Sequence, residues 1–208
     1  MAGPLSGIRI IDTTSYIAGP LATMVLADQG AEVIKVEPPG LGDVLRFLGS
    51  LRGGMSAFFA TSNRSKRSLV LDLKREAGVE ILRDLVAGAD VFVQNYRPGV
   101  VERLGIGYEA LRGVKSDLIY ASLSGFGESG PYAGRPVFDN VIQALTGMAA
   151  AQTNSDTGEP DMIRHIVCDK ATALTAAQAI TAAIVARDRQ GVGQHLRLNM
   201  LVSCVRNV

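Results

Sequence analysis

The chain of 208 residues has no tryptophan, two cysteines and two histidines, and each scarcity removes a class of chemistry. Cys168 and Cys204 have neither CxxC spacing nor matched histidines, so zinc frameworks and disulfide scaffolds are not expected and both read as reduced thiols. An excess of charge of either sign is also missing. Lys and Arg number 21 against 20 for Asp and Glu, and a net charge of +1 provides no global field for nucleic acid or an anionic membrane. Any anion must be held by a local cluster. Long apolar runs are absent too. The most hydrophobic window, residues 171–186, is interrupted by Thr172, Thr175, Gln178 and Thr181, and it falls short of the ~20 residues that span a bilayer. It reads as a buried or half-buried helix. Residues 1–12 lack a basic segment followed by an apolar stretch, which leads us to expect a cytoplasmic protein.

What is present suffices for a core: 47% of residues are hydrophobic and 20% charged, enough for one large domain or two small ones. Short runs rich in Val, Ile and Leu at residues 8–12, 32–36, 68–73, 90–94 and 118–122 lack alternation, as strands covered on both faces do. Helical patterns lie between them at 19–28, 74–87 and 108–113, with Gly30 and Gly88 where C-caps belong. This alternation predicts an α/β fold with an open, mostly parallel, Rossmann-like sheet flanked by helices. After residue 135 two longer helices are expected, at 139–151 and 169–189, separated by a polar loop at 153–160 and followed by a strand at 194–202.

Gly125-Phe126-Gly127-Glu128-Ser129-Gly130 fits GxGxxG, but a dinucleotide fingerprint must open directly into a helix, and Pro131, Gly134 and Pro136 follow instead. Asn63-Arg64-Ser65-Lys66-Arg67-Ser68 gathers three cations and small polar donors, which suits a phosphate or, equally, a solvated loop. Asn95-Tyr96-Arg97-Pro98-Gly99 follows a predicted strand, where open α/β sheets bind ligands and where ordinary turns also form. Asp169 stands between an apolar stretch and an Ala-rich helix, well placed to be an N-cap. The same location could fix an ionised carboxylate as a nucleophile. His165 and His195 read as surface or loop residues, and Cys168 as a small buried filler.

Taken in order, several segments resemble the family III CoA-transferases, the group that includes formyl-CoA transferase and the related α-methylacyl-CoA racemases. They are Leu5 to Asp12, Ala18-Gly19-Pro20, Gly30 to Pro38, Gly42-Asp43 with Arg46, Asn63 to Ser68, Leu71 to Lys74, Asn95 to Gly99, Ser124 to Gly127, Gly130-Pro131-Tyr132, and Phe138 to Ala144. The resemblance implies that residues 1–208 are the large CoA-binding α/β domain of a longer architecture whose small second domain is absent, with a long helix after the catalytic aspartate. It implies CoA contacts from Ile17, Ala18, Leu71, Lys74, Asn95, Tyr96, Arg103 and Arg135, and it makes Asp169 the nucleophile that forms aspartyl anhydride and aspartyl-CoA thioester intermediates. Acyl-CoA and a carboxylic acid are the implied partners; coenzyme A is a substrate, and no permanently bound cofactor or metal is expected. Members form interlocked homodimers, and a half-length chain is expected to turn over weakly or not at all alone. Racemases carry a histidine where this chain has Phe138, whose ring cannot exchange a proton at an α-carbon, so the transferase is favoured over the racemase. Pro38 departs from the arginine that several transferases set against the adenine.

Overall fold

The computed structural model describes residues 2–205. Six strands form one parallel sheet: β1 (Arg9–Asp12), β2 (Glu32–Glu37), β5 (Lys66–Val70), β6 (Val91–Gln94), β7 (Ile119–Ser124) and β8 (His195–Asn199), in spatial order β5-β2-β1-β6-β7-β8. A short antiparallel hairpin, β3 (Leu51–Arg52) with β4 (Met55–Ser56), stands apart. The helices are α1 (Ala18–Asp28), α2 (Ala57–Asn63), α3 (Glu76–Ala87), α4 (Val100–Arg103), α5 (Tyr108–Val114), α6 (Asp139–Leu145), α7 (Met148–Ala151), α8 (Val167–Gln190) and α9 (Met200–Val205).

The strands lack polar alternation because both faces are covered. Ile10, Val91, Val93, Ile119 and Ala121 enter one core cluster, while their neighbours Ile11, Phe92 and Tyr120 enter the other. On the first face α1 and α8 pack side by side, α8 presenting Ala173, Ala176, Ala177, Ile180 and Ala183 at helical spacing. Small side chains let this helix lie close to the sheet. On the second face α3 contributes Leu82 and Val86, and α5 contributes Leu111. Truncating a fully buried ring such as Phe92 to alanine costs about 3–5 kcal/mol, so these two layers hold the site's scaffold rigid.

Strand order sets the place of the site. From β1 the chain moves outward to β2 and β5, then returns to place β6 on the other side of β1 and continues to β7 and β8. The loops leaving β1 and β6 therefore diverge, opening the crevice in which open α/β sheets bind ligands.

Several expectations are corrected. The fifth strand spans Lys66–Val70 rather than 68–73, because an edge strand tolerates charged, exposed residues and the chain turns at Asp72. The helix expected at 139–151 is broken by Gly147 at φ 84, a left-handed conformation that ends α6 and starts α7. The strand expected at 194–202 ends at Asn199, whose side chain accepts from the Val202 N–H at 2.8 Å and starts α9. Asp169 is not an N-cap: α8 begins two residues earlier, with Ile166 in the cap position, and Asp169 sits in its first turn. His195 is not a loop residue but the first residue of β8. Its ring stacks on Tyr108 at 4.5 Å and its Nε2 meets Ser122 Oγ at 2.9 Å.

Candidate active site

The floor of the crevice is the loop after β1. Thr13 ties it to β6, its N–H and hydroxyl both donating to the Val93 carbonyl at 2.9 and 3.0 Å. Asn95 completes the tie, accepting from the Ser15 N–H at 3.0 Å and donating to the Ser15 carbonyl at 2.8 Å. These bonds order a non-repetitive segment as firmly as a strand, and they aim the amino terminus of α1 into the crevice. Gly19 follows from the same packing, since a Cβ there would collide with the Thr14 side chain.

Below the loop lies a dry charged network. Asp12 is fully buried and accepts from Thr14, Thr23 and Lys66, the last at 2.9 Å. Burial alone would raise its pKa, but the Lys66 and Lys35 cations and its hydrogen bonds outweigh that and hold it well below the carboxylate range. Desolvation pushes Lys66 the other way, down to about 8. The cations of the 63–68 segment are thus already engaged: Lys66 also bonds Pro20 O and Asn63 Oδ1, Arg64 pairs with Asp28, and Arg67 pairs with Glu32 at 2.8 Å. That segment is structural rather than a free phosphate cradle. Arg46 is likewise spent, gripping Glu37 at 2.6 and 2.8 Å and lying over the Phe59 ring.

Asp169 projects from the first turn of α8 into a cavity of about 250 Å³ lined by Ile17, Ala18, Asn95, Tyr96 and Arg135 among others. The fold therefore brings six of the nine residues singled out in the sequence to one opening. Leu71, Lys74 and Arg103 do not line it; they lie along the same carboxyl edge of the sheet, after β5 and at the end of α4. Among the described residues Lys74, Arg103 and Arg135 form no salt bridge, unlike the cations of the 63–68 segment. A second cleft of about 800 Å³ opens beside the first, between the ends of β6, β7 and β8, and shares Tyr96, Arg97 and Ser124 with it.

The carboxylate of Asp169 is half-buried, and its pKa is raised to about 6. Burial is the main cause and the neighbouring Asp139 carboxylate the second, opposed by the backbone N–H of Ala18 at the start of α1. Asp139, which sequence reading treated only as part of a motif, braces the site. It is buried at the first position of α6, accepts from the Asp169 N–H at 2.9 Å, and receives the Gln143 amide at 2.5 Å. Gln143 in turn bonds Ile163 N–H and His165 O, which fixes the turn leading into α8. The start of α8 is thus capped from another helix, which no local pattern could show. Phe138 stands at the rim, 65% exposed, its ring edge-on to Tyr16 at 5.9 Å.

Cys168, next to Asp169, is buried against Met148 and Cys204; burial pushes its thiol far above the usual range, which makes it a poor nucleophile. His165 is exposed and pairs with Lys170 rather than with anything in the cavity. Among the described residues no three His, Cys, Asp or Glu side chains converge so as to hold a metal ion, and no helix is long and apolar enough to cross a membrane. The arrangement offers one half-buried carboxylate, the start of a helix beside it, and the cations Arg97 and Arg135 in the cavity wall: parts suited to acyl transfer.

The fold is an open parallel α/β sheet with a cavity at its switch point, and the chain belongs to CoA-transferase family III, matched over residues 5–208. It is 41% identical over 199 residues to the acetyl-CoA:oxalate CoA-transferase of Acetobacter aceti, an alignment covering 95% of this chain and 51% of that protein. It is 40% identical over 209 residues to the succinyl-CoA:glutarate CoA-transferase of Mus musculus, covering 99% of this chain and 48% of the relative. The chain spans about half the length of the curated relatives it matches. Among solved structures, Rv3272 from M. tuberculosis superposes with a TM-score of 0.92 at 39% identity, covering 99% of this chain and 57% of that one. A CAIB/BAIF family protein from Brucella suis superposes with a TM-score of 0.93 at 36% identity, over 99% and 55% of the two chains.

Proposed function

We propose that residues 1–208 form the large CoA-binding α/β domain of an acyl-CoA:carboxylate CoA-transferase whose nucleophile is Asp169. One observation carries this reading: among the described residues the one carboxylate lining the switch-point cavity, that of Asp169, is half-buried, braced by Asp139 and set beside the start of α1. Family membership and relatives named for exchange between CoA thioesters and oxalate or glutarate support it.

In this proposal the ionised carboxylate attacks the acyl-CoA thioester carbonyl, and the C–S bond breaks to give a mixed anhydride and CoA thiolate. The thiolate attacks the Asp169 acyl carbon, releasing the donor acid and leaving an aspartyl-CoA thioester. The acceptor carboxylate then attacks that thioester, and the thiolate opens the second anhydride at the acceptor's carbonyl to give the new acyl-CoA and the free aspartate. No oxidant or metal enters the balance, and each step is a simple acyl transfer. Ile17, Ala18, Leu71, Asn95 and Tyr96 would line the path of the CoA arm, with Lys74, Arg103 and Arg135, which form no salt bridge among the described residues, offered to its phosphates. The racemase alternative needs a proton carrier where Phe138 stands, and a phenyl ring cannot serve.

The same reading includes a homodimer. Leu41, Phe47, Leu48, Leu51, Met55 and Phe58 are exposed in one segment around the β3–β4 hairpin, an apolar run that a partner chain would cover. A cytoplasmic setting fits the two free, buried thiols.

Incubation with acetyl-CoA and hydroxylamine, followed by peptide mass mapping, tests the proposal. Hydroxamate confined to the peptide containing Asp169 is expected. Binding of CoA without modification would reduce the chain to a CoA-binding module, and absence of binding would defeat both readings.

A further inference from the structure

α1 has no side-chain cap of its own: Ile17 occupies the cap position, and Ala18, the first residue of the helix, lines the same cavity as Asp169, whose carboxyl its amide pulls down in pKa. Where that amide points is decided by the turn before it, and the turn is strained. Tyr16 holds φ 63, a left-handed conformation that crowds the Cβ of any residue but glycine. Such a conformation persists only where the surroundings over-determine it.

Two buried charges do this. Lys35 and Asp43 are paired at 3.0 Å, their side chains 2% and 1% exposed. Lys35 Nζ donates to the Thr14 carbonyl at 2.7 Å, on the amino-terminal side of Tyr16. Asp43 Oδ1 accepts from the Tyr16 N–H at 3.2 Å and from Leu45 N–H at 3.0 Å. The pair is itself anchored, since the Asp43 N–H donates to Glu37 Oε2 at 2.9 Å and Glu37 is gripped by Arg46 and Ser68. A buried ion pair of this kind adds little net stability over an apolar pair of similar volume, because desolvating both charges offsets their attraction. What it delivers is direction: it fixes the Thr14 carbonyl and the Tyr16 N–H, the two groups that lead into the strained torsion.

We infer that the Lys35–Asp43 ion pair is a positioning device for the Asp169 site, holding the turn that carries Tyr16, Ile17 and Ala18 into the cavity opposite the carboxylate. Neither residue touches the cavity, so they act through the turn. The catalytic consequence rests on the reading of Asp169 as the nucleophile; the structural one does not, and the test separates them.

The test compares wild type with Lys35→Met/Asp43→Leu, which removes both charges together, and Lys35→Met/Asp43→Asn, which restores an oxygen for the Tyr16 and Leu45 amides. First, without CoA, NMR follows the carboxyl carbon of Asp169 and the amide of Ala18 against pH. In Lys35→Met/Asp43→Leu the Asp169 midpoint should rise above that of wild type, since a donor is lost, and the Ala18 amide should cease to follow it. Second, hydroxamate formation from acetyl-CoA should fall about 100-fold in rate at saturation, the loss expected from a displacement of about an ångström, with little change in acetyl-CoA affinity. Lys35→Met/Asp43→Asn should recover part of both, since the Tyr16 and Leu45 amides regain an acceptor while the Thr14 carbonyl still lacks its donor. A folded Lys35→Met/Asp43→Leu whose Ala18 amide still tracks an unshifted Asp169 overturns the inference, as does equal impairment of both double variants. If neither folds, hydrogen exchange in wild type decides: a Tyr16 amide exchanging as fast as an exposed one refutes it. Wild type that titrates as described but forms no hydroxamate removes the nucleophile and leaves the positioning intact.

Discussion

Replacing Asp169 with asparagine should stabilise the fold, and the gain should depend on pH. The folded protein raises this carboxyl from 3.8 to about 6, chiefly by burial and secondly by the Asp139 charge. The folded state therefore disfavours the ionised form, whereas the unfolded chain ionises it freely above 3.8. Below 3.8 both states hold the proton and no cost exists; between 3.8 and about 6 the cost grows, and above that it is complete. A shift of about two units corresponds to roughly 3 kcal/mol at full ionisation. Asparagine keeps an oxygen for the Ala18 N–H but never takes the charge. Urea unfolding of wild type and Asp169→Asn should therefore give equal stabilities near pH 3.5 and an advantage of about 2–3 kcal/mol to the variant near pH 8. A variant less stable than wild type near pH 8, or a difference independent of pH, would refute the electrostatic account of the site.

Asp139→Asn removes the second cause of the raised pKa while keeping an oxygen for the Asp169 N–H, so the pH midpoint of Asp169 should move below that of wild type; pH profiles of hydroxamate formation or carbon NMR would read it. Lys66→Met strips Asp12 of a cation in a site with no water access, and should destabilise by about 3–5 kcal/mol in denaturant unfolding. Burial pushes both cysteine thiols up, so native protein should resist iodoacetamide near pH 8, with Cys168 and Cys204 alkylated only after unfolding.

The sheet was legible because its central strands are apolar on both faces, and residues 90–94 and 118–122 can hardly be anything else. The edge strand was expected two residues late at its start and three at its end, because Lys66 and Arg67 look like loop residues unless one knows that Lys66 turns inward to Asp12. The 63–68 cations mislead for the same reason: a cation's partner, here Asp12, Asp28 or Glu32, lies more than thirty residues away. Asp169 could be found but its placement could not, since the helix starts two residues before it with Ile166 in the cap position, and the brace supplied across space by Asp139 leaves no local signal. Lys35 and Asp43 were invisible as a pair. Lysine in a strand and aspartate after a glycine read as surface residues, and only the fold reveals that both point into the core beneath Tyr16.

The central claim is that the migrating acyl chemistry passes through the oxygen atoms of Asp169. If the acceptor acid is supplied with heavy oxygen in its carboxylate, opening of the second anhydride at the acceptor's carbonyl leaves one labelled oxygen on the aspartate. Stoichiometric protein incubated with acyl-CoA and labelled acid, then digested and weighed, should carry the label in the peptide containing Asp169 and nowhere else. Formation of the labelled acid's CoA thioester with that peptide still unlabelled would contradict the account.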